Sequence, residues 1–154
     1  MNKSVLISGY GSIGRRHANI LSRLVKKKNI TILTNQKLSN FRTIKTLKAV
    51  NEVDPHYIVI CNPTSDHINK IRFIEKNCKN KFVLLEKPLF SKPVKINIKK
   101  NKYYVGYNLR FNPIINFLKK KIRSKKIWSV NIFCGSYLPN WRNNIDYRKS
   151  SSAK

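Results

Sequence analysis

A hexapeptide near the N-terminus carries the clearest chemistry in this chain. Gly9-Tyr10-Gly11-Ser12-Ile13-Gly14 fits the pattern G-x-G-x-x-G. Each glycine has its own task where such a loop turns from a strand into a helix. Gly9 permits the tight turn, Gly11 lets a pyrophosphate reach a backbone with no β-carbon in the way, and Gly14 lets the helix lie close to the strand. Unpaired N–H groups around Ser12 and Ile13, together with the helix dipole, then hold the phosphates. An accidental glycine turn would read the same in isolation. The force of the pattern comes from the apolar strand before it and the apolar-striped helix after it.

A loop of this kind is usually followed, about twenty residues on, by a carboxylate that grips the ribose 2′-hydroxyl of NAD. No acidic residue occurs here before Glu52. The second strand instead runs out into Thr34-Asn35-Gln36-Lys37, neutral polar groups and a lysine, which accept a 2′-phosphate better than an anion would. Thr34, Asn35 and Lys37 are therefore candidate cofactor contacts. The expected cofactor is NADP in preference to NAD, although Asn35 could serve NAD by hydrogen bonding.

The elements that must position these groups follow from the hydrophobic pattern. Ser4–Ser8 is a short apolar run, as expected of a strand buried on both faces. Ile13, His17, Ile20, Leu21, Leu24 and Val25 share one helical face. Ile30–Leu33 predicts a second buried strand. Residues 38–54 read as weakly helical, with Phe41, Ile44, Leu47 and Val50 at intervals of three. Tyr57–Cys61 is a third strand, Thr64 the expected N-cap of a helix bearing Ile68, Ile71, Ile74 and Cys78, Phe82–Leu85 a fourth strand and Tyr103–Gly106 a fifth. Asn112-Pro113 gives an N-cap and a first-turn proline for a helix to about Lys121. Ile127–Cys134 alternates as a sixth strand would. Strands alternating with helices predict an α/β fold, a Rossmann-like doubly wound parallel sheet. From Gly135 onward the pattern reads as loop.

The charge is unusual. Thirty-three Lys and Arg face six acids, a formal net charge of +27 in 154 residues. Such a balance favours polyanions. However, the runs Lys26–Lys28, Lys99–Lys102 and Lys119–Arg123 are scattered, no aromatics interleave with them as single-strand stacking requires, and nothing resembles a base-reading helix. Compositional drift towards Lys, Asn and Ile is favoured over selection for a polyanion as the source of the charge, and no nucleic-acid partner is expected, a nucleic-acid-binding protein being a third reading that rests on charge alone. Cys61, Cys78 and Cys134 form neither a metal spacing nor a disulfide framework, so no metal is expected. No stretch approaches the roughly 20 apolar residues of a membrane span, and the chain reads as cytoplasmic, without a membrane partner.

Further segments then line up in order: Cys61-Asn62-Pro63-Thr64-Ser65-Asp66-His67, Leu85-Glu86-Lys87-Pro88, Gly106-Tyr107-Asn108-Leu109-Arg110-Phe111, and Asn140-Trp141-Arg142 through Asp146-Tyr147-Arg148. With the N-terminal glycine loop, this series resembles the Gfo/Idh/MocA family, named for glucose–fructose oxidoreductase and inositol dehydrogenase. The resemblance implies a nicotinamide-dependent oxidoreductase acting on a hydroxyl of a sugar, polyol or nucleotide-linked sugar, a homo-oligomer at full length. It implies that Cys61, Asn62, Pro63, Thr64 and His67 flank the cofactor and that Glu86 orients Lys87 or lies near the nicotinamide ribose. Lys87 is the implied catalytic and substrate-touching residue, since a fixed ammonium stabilises charge developing on an alkoxide oxygen. It further implies a cis bond before Pro88 and a segment with Trp141 and Arg142 folded over the cofactor. Asn108 and Arg110 lie just past the fifth strand, at the carboxyl edge where open sheets bind ligands, and are candidate substrate contacts, Arg110 alternatively bracing the junction. His17, on the apolar helix face, reads as structural.

The chain also departs from that family. Its members continue into a second α/β domain whose glycine-rich turn is followed by an Asp and, four residues on, by a His that takes the hydroxyl proton. No His follows His67 here, and Asp146 is the only acid after Glu86. Residues 1–122 are expected to form the dinucleotide-binding domain, and 123–154 the first strand and loop of an incomplete second domain. Lys87 could act as a base only if burial lowered its pKa by several units. Weak or absent dehydrogenase activity is expected. The competing reading is a binding module that holds NAD(P) without chemistry.

Overall fold

The structure, a computed structural model, describes residues 3–135. Val5–Ser8 forms β1 and is buried along its whole length, as a central strand between two helical layers must be. The chain turns at the glycine loop into α1, Ser12–Leu21. β2 follows at Ile30–Leu33, equally buried, then β3 at Arg42–Ile44 and a short α2 at Val50–Val53. β4 spans Tyr57–Ile60, α3 Thr64–Asn77 and β5 Phe82–Leu85. β6 covers Lys102–Val105 and α4 Pro113–Ile122.

All six strands are parallel, in the order β3-β2-β1-β4-β5-β6. Val5 is paired on one side with Ile30 and on the other with Tyr57, so the chain reverses its direction of travel across the sheet at β1. In open α/β sheets, ligands bind outside the carboxyl ends of the strands at such a reversal. Strand alternation feeds two cores. Leu6, Leu33, Ile58, Ile60, Val83 and Leu85 pack with Val50 of α2 and Ile71 and Ile74 of α3. On the opposite face Val5, Ile7, Ile30, Ile32 and Val59 pack with Ala18 of α1. The doubly wound architecture expected from the sequence is thus present.

Several local expectations are corrected. Residues 38–54 are not one weak helix: they supply the edge strand β3, a 3-10 turn and the four-residue α2. The spacing of three among Phe41, Ile44, Leu47 and Val50 mimicked a helical face, whereas β2 imposed pairing at Thr31–Arg42 through Leu33–Ile44. Helix α1 ends at Leu21, short of Leu24 and Val25. Thr64 is the first residue of α3, whose cap position is Pro63. Residues 127–134 are exposed and form no strand. A lone strand without a partner to pair its N–H and C=O groups is not stable in water. Asn112 does cap α4, its Oδ1 accepting from the N–H groups of Ile114 and Ile115 at 2.9 and 3.3 Å.

The chain divides into two compact units, the first running through Gly106 and the second starting at Tyr107. No helix among the described residues is long and apolar enough to cross a membrane.

Candidate functional site

The glycine loop leaves β1 at the reversal point. Gly9 has φ +93° and donates its N–H to the Leu33 carbonyl at 3.0 Å, tying the loop to the end of β2. A β-carbon there would sit 3.1 Å from the backbone nitrogen of Asn62, so the turn after β4 presses directly against it. A β-carbon on Gly14 would collide with the Gly9 carbonyl oxygen. Gly11 differs from both: nothing lies within 4 Å of where its β-carbon would be. Two glycines are therefore needed for packing, and the third opens space. Gly11 is also the cap position of α1, and no side chain caps that helix. The first N–H groups of a helix lack intrahelical partners, so Ser12 and Ile13, both exposed, present theirs at an uncapped, electropositive end. This loop fits a pyrophosphate: backbone donors, a helix dipole and a gap where a side chain would stand.

The walls come from neighbouring strand ends. Thr34 is half-buried with its N–H on the Ile44 carbonyl at 3.0 Å, while Asn35 and Lys37 are exposed. Gln36 reaches back to the Tyr10 carbonyl at 3.4 Å and so links the β2 end to the glycine loop. On the other side of β1, Ser8 donates its hydroxyl to Asn62 Oδ1 at 2.6 Å and fixes that side chain. Neither Ser8 nor Gln36 stood out in the sequence. A small polar residue ending a buried strand was the only signal for Ser8. Pro63 is exposed and Thr64 half-buried at the start of α3.

His67 does not line the open face of that turn. It is 1% exposed, and its ring nitrogens lie 3.0 Å from the carbonyls of Leu89 and Asn62. It bridges the turns after β4 and β5 and presents no nitrogen to a ligand. Cys61 is inert for a related reason: burial, then the charge of Glu86, pushes its thiol up to about 12.

At the end of β5, Glu86 donates its N–H to the Ile60 carbonyl at 3.0 Å. Its carboxylate turns towards α1 and meets His17 Nε2 at 2.7 Å. His17 is thus not merely an apolar-face residue, and Glu86 has a partner 69 positions away. Lys87 follows, exposed, with the expected cis bond to Pro88. Gly106, after β6, completes this corner: a β-carbon on it would stand 3.3 Å from Glu86 Oε1. The fold therefore gathers Gly9, Gly11, Ser12, Ile13, Gly14, Thr34, Asn35, Lys37, Cys61, Asn62, Pro63, Thr64, Glu86 and Lys87 along the carboxyl edge of one sheet. Asn108 and Arg110 belong to the second unit, in an exposed 3-10 turn where the Arg110 guanidinium lies 5.9 Å from the centre of the Phe111 ring. Trp141 and Arg142, with Asp146, Tyr147 and Arg148, lie outside the described residues.

No protein-family model matches the chain, and no curated protein sequence matches it. Solved structures do. The WlbA dehydrogenase from Chromobacterium violaceum, in complex with NADH and UDP-GlcNAcA, superposes with a TM-score of 0.65 at 14% identity, over 81% of this chain and 41% of that one. The WlbA (WbpB) dehydrogenase from Thermus thermophilus, with NAD and UDP-GlcNAcA, gives 0.62 at 18% identity over 80% and 48%. The scyllo-inositol dehydrogenase from Lactobacillus casei, with NAD(H) and scyllo-inositol, gives 0.58 at 18% identity over 79% and 41%. At these identities the likeness is one of fold, and it assigns the chain a Rossmann-like doubly wound architecture. The chain spans under half the length of these structures.

Proposed function

We propose that this chain is the nicotinamide-dinucleotide-binding part of an oxidoreductase of the Gfo/Idh/MocA type, acting on a hydroxyl of a sugar, an inositol or a nucleotide-linked sugar. The observation that carries the reading is the split among the three glycines, two packed against backbone and one facing open space at an uncapped helix start. The bound NAD and NADH of the solved neighbours, and their inositol and nucleotide-sugar ligands, support the same class.

In this reading the amides of residues 11–14 hold the pyrophosphate, Thr34, Asn35 and Lys37 flank the adenosine ribose, and residues 61–64 form the facing wall. The nicotinamide ring, when bound, accepts or returns a hydride. Lys87 places an ammonium where it stabilises negative charge on the substrate oxygen. None of the three histidines stands beside Lys87 as an open proton acceptor. His17 is held by Glu86, His67 lies between two carbonyls, and His56 Nδ1 is 2.9 Å from the Ser4 hydroxyl. Lys87 is exposed, outside the buried setting a lysine base needs. In this reading the described residues bind and orient the cofactor and substrate oxygen rather than supply the proton acceptor. That engagement of every histidine also favours the second reading, a module that holds the dinucleotide without chemistry. Oxidation of a polyol at an ordinary enzymatic rate by the isolated chain would contradict both the weak-activity expectation and that second reading.

The absence of an acid at the end of β2 favours NADP over NAD. Fluorescence titration with NADPH and NADH tests it: a preference for NADPH that Lys37→Glu abolishes is the expected result. Equal affinity for the two, unchanged in the variant, would remove the role of Lys37 and the preference for NADP.

A further inference from the structure

We infer that His17 is a positioning residue for Lys87, acting through Glu86 and touching no ligand itself. The inference rests on the dinucleotide reading and deepens it, because it joins the helix that opens at the glycine loop to the strand end that carries Lys87.

Three observations carry it. The first is the contact. His17 is the sixth residue of α1 and Glu86 the first after β5, yet Nε2 and Oε1 are 2.7 Å apart, with side chains only 23% and 19% exposed. An ionised carboxylate only accepts hydrogen bonds, so Nε2 carries the donated proton. A charge-assisted bond in a partly desolvated corner restrains its partners more than a surface ion pair does. The second is the room made for it: at Gly106 a β-carbon would stand 3.3 Å from the carboxylate oxygen and 3.3 Å from the Leu85 carbonyl, so any side chain there would crowd Glu86.

The third is what the contact encloses. The Glu86 main chain is fixed to Ile60 at 3.0 Å and its side chain to His17. Three residues on, the Leu89 carbonyl lies 3.0 Å from His67 Nδ1. Only Lys87 and Pro88 lie between these anchors, and each anchor is held by a histidine from a different helix. Lys87 is exposed. Its backbone is aimed by the two flanking residues, and of these Glu86 is the one tied to the glycine-loop helix. Release of Glu86 by His17 frees the lysine turn while leaving the loop intact.

Two ligands separate these parts in the full chain. ADP reports the glycine loop, and the tighter-binding reduced dinucleotide reports the loop together with the Glu86–Lys87 corner. His17→Leu and His17→Asn, the latter polar but too short to reach, are expected to weaken dinucleotide binding on the order of 10-fold, the usual scale for a lost charge-assisted bond, with ADP affinity unchanged. His17→Gln, which restores a side-chain N–H at similar reach, is expected to recover most of the loss. In a Glu86→Leu background the His17 substitutions are expected to have no further effect. Equal loss of ADP and dinucleotide, or losses that add in the double variant, would overturn the positioning role while leaving the dinucleotide reading standing. A wild-type chain that binds neither ligand would overturn both.

Discussion

Gly11 and Gly14 lie one helical turn apart and answer to different demands. At Gly14 the backbone of Gly9 occupies the place of a β-carbon. Overpacking against rigid main chain costs more than overpacking against a side chain that can rotate, so Gly14→Ala is expected to lower stability by about 2–3 kcal/mol or more. Urea unfolding monitored by circular dichroism measures it; an unchanged midpoint would mean that α1 shifts freely relative to β1. The tasks of these glycines were legible in the sequence because spacing alone assigns them. The partners of His17, His67 and Ser8 were not. Each makes its contact with a residue brought near by the parallel sheet, at separations of 69, 22 and 54 positions, and no local pattern encodes such a meeting. His67 is the instructive case: a histidine in the turn after a strand resembles a ligand contact until its burial is seen.

Elements were legible to the degree that packing agreed with pattern. β2 and β5 appear with the expected bounds because four consecutive apolar residues suit a strand covered on both faces. β3 was hidden, since an edge strand of three residues needs no apolar run, and two of its three residues are exposed. Residues 127–134 erred the other way, alternating like a strand without a sheet to join. The long connection from β5 to β6 has no helix and depends on α3 for its hold. Glu75 accepts from the N–H groups of Lys99 and Lys100, both at 3.1 Å, and from Asn101 Nδ2 at 2.9 Å. Burial works to raise the Glu75 pKa, and these bonds outweigh it and hold the carboxyl below its ordinary value. A depressed carboxylate stabilises the fold above the unfolded carboxyl range and loses that contribution as pH falls through the folded value. Glu75→Gln is thus expected to flatten part of the acid-side loss of stability and to speed amide exchange at Lys99 and Lys100. An acid limb identical to that of the wild type would show that Glu75 is not the group responsible.

Over the whole molecule, a net charge of +27 is self-repulsive. Raising NaCl from about 0.01 to about 0.5 M shortens the Debye length several-fold and is expected to raise the thermal midpoint. A midpoint that falls with salt would mean that attractive pairs outweigh the repulsion. The charge is spread over the chain rather than concentrated at the sheet edge, so it does not identify a ligand. The proposed dinucleotide site rests on the glycine loop instead. A doubly wound sheet places the start of α1 beside the reversal of strand order, and there the glycine loop combines open backbone donors with free space at Gly11.

The most direct measurement is dinucleotide binding by Gly11→Val, alongside its thermal midpoint. Gly11 has no atom within 4 Å of its β-carbon position and an ordinary extended backbone, φ −75° and ψ −165°, so the fold has room for the side chain. A thermal midpoint close to wild type is expected, with loss of NADPH and NADH binding by at least about two orders of magnitude, since the valine fills the pyrophosphate space. A folded variant that binds either dinucleotide as tightly as the wild type would contradict the proposed dinucleotide site.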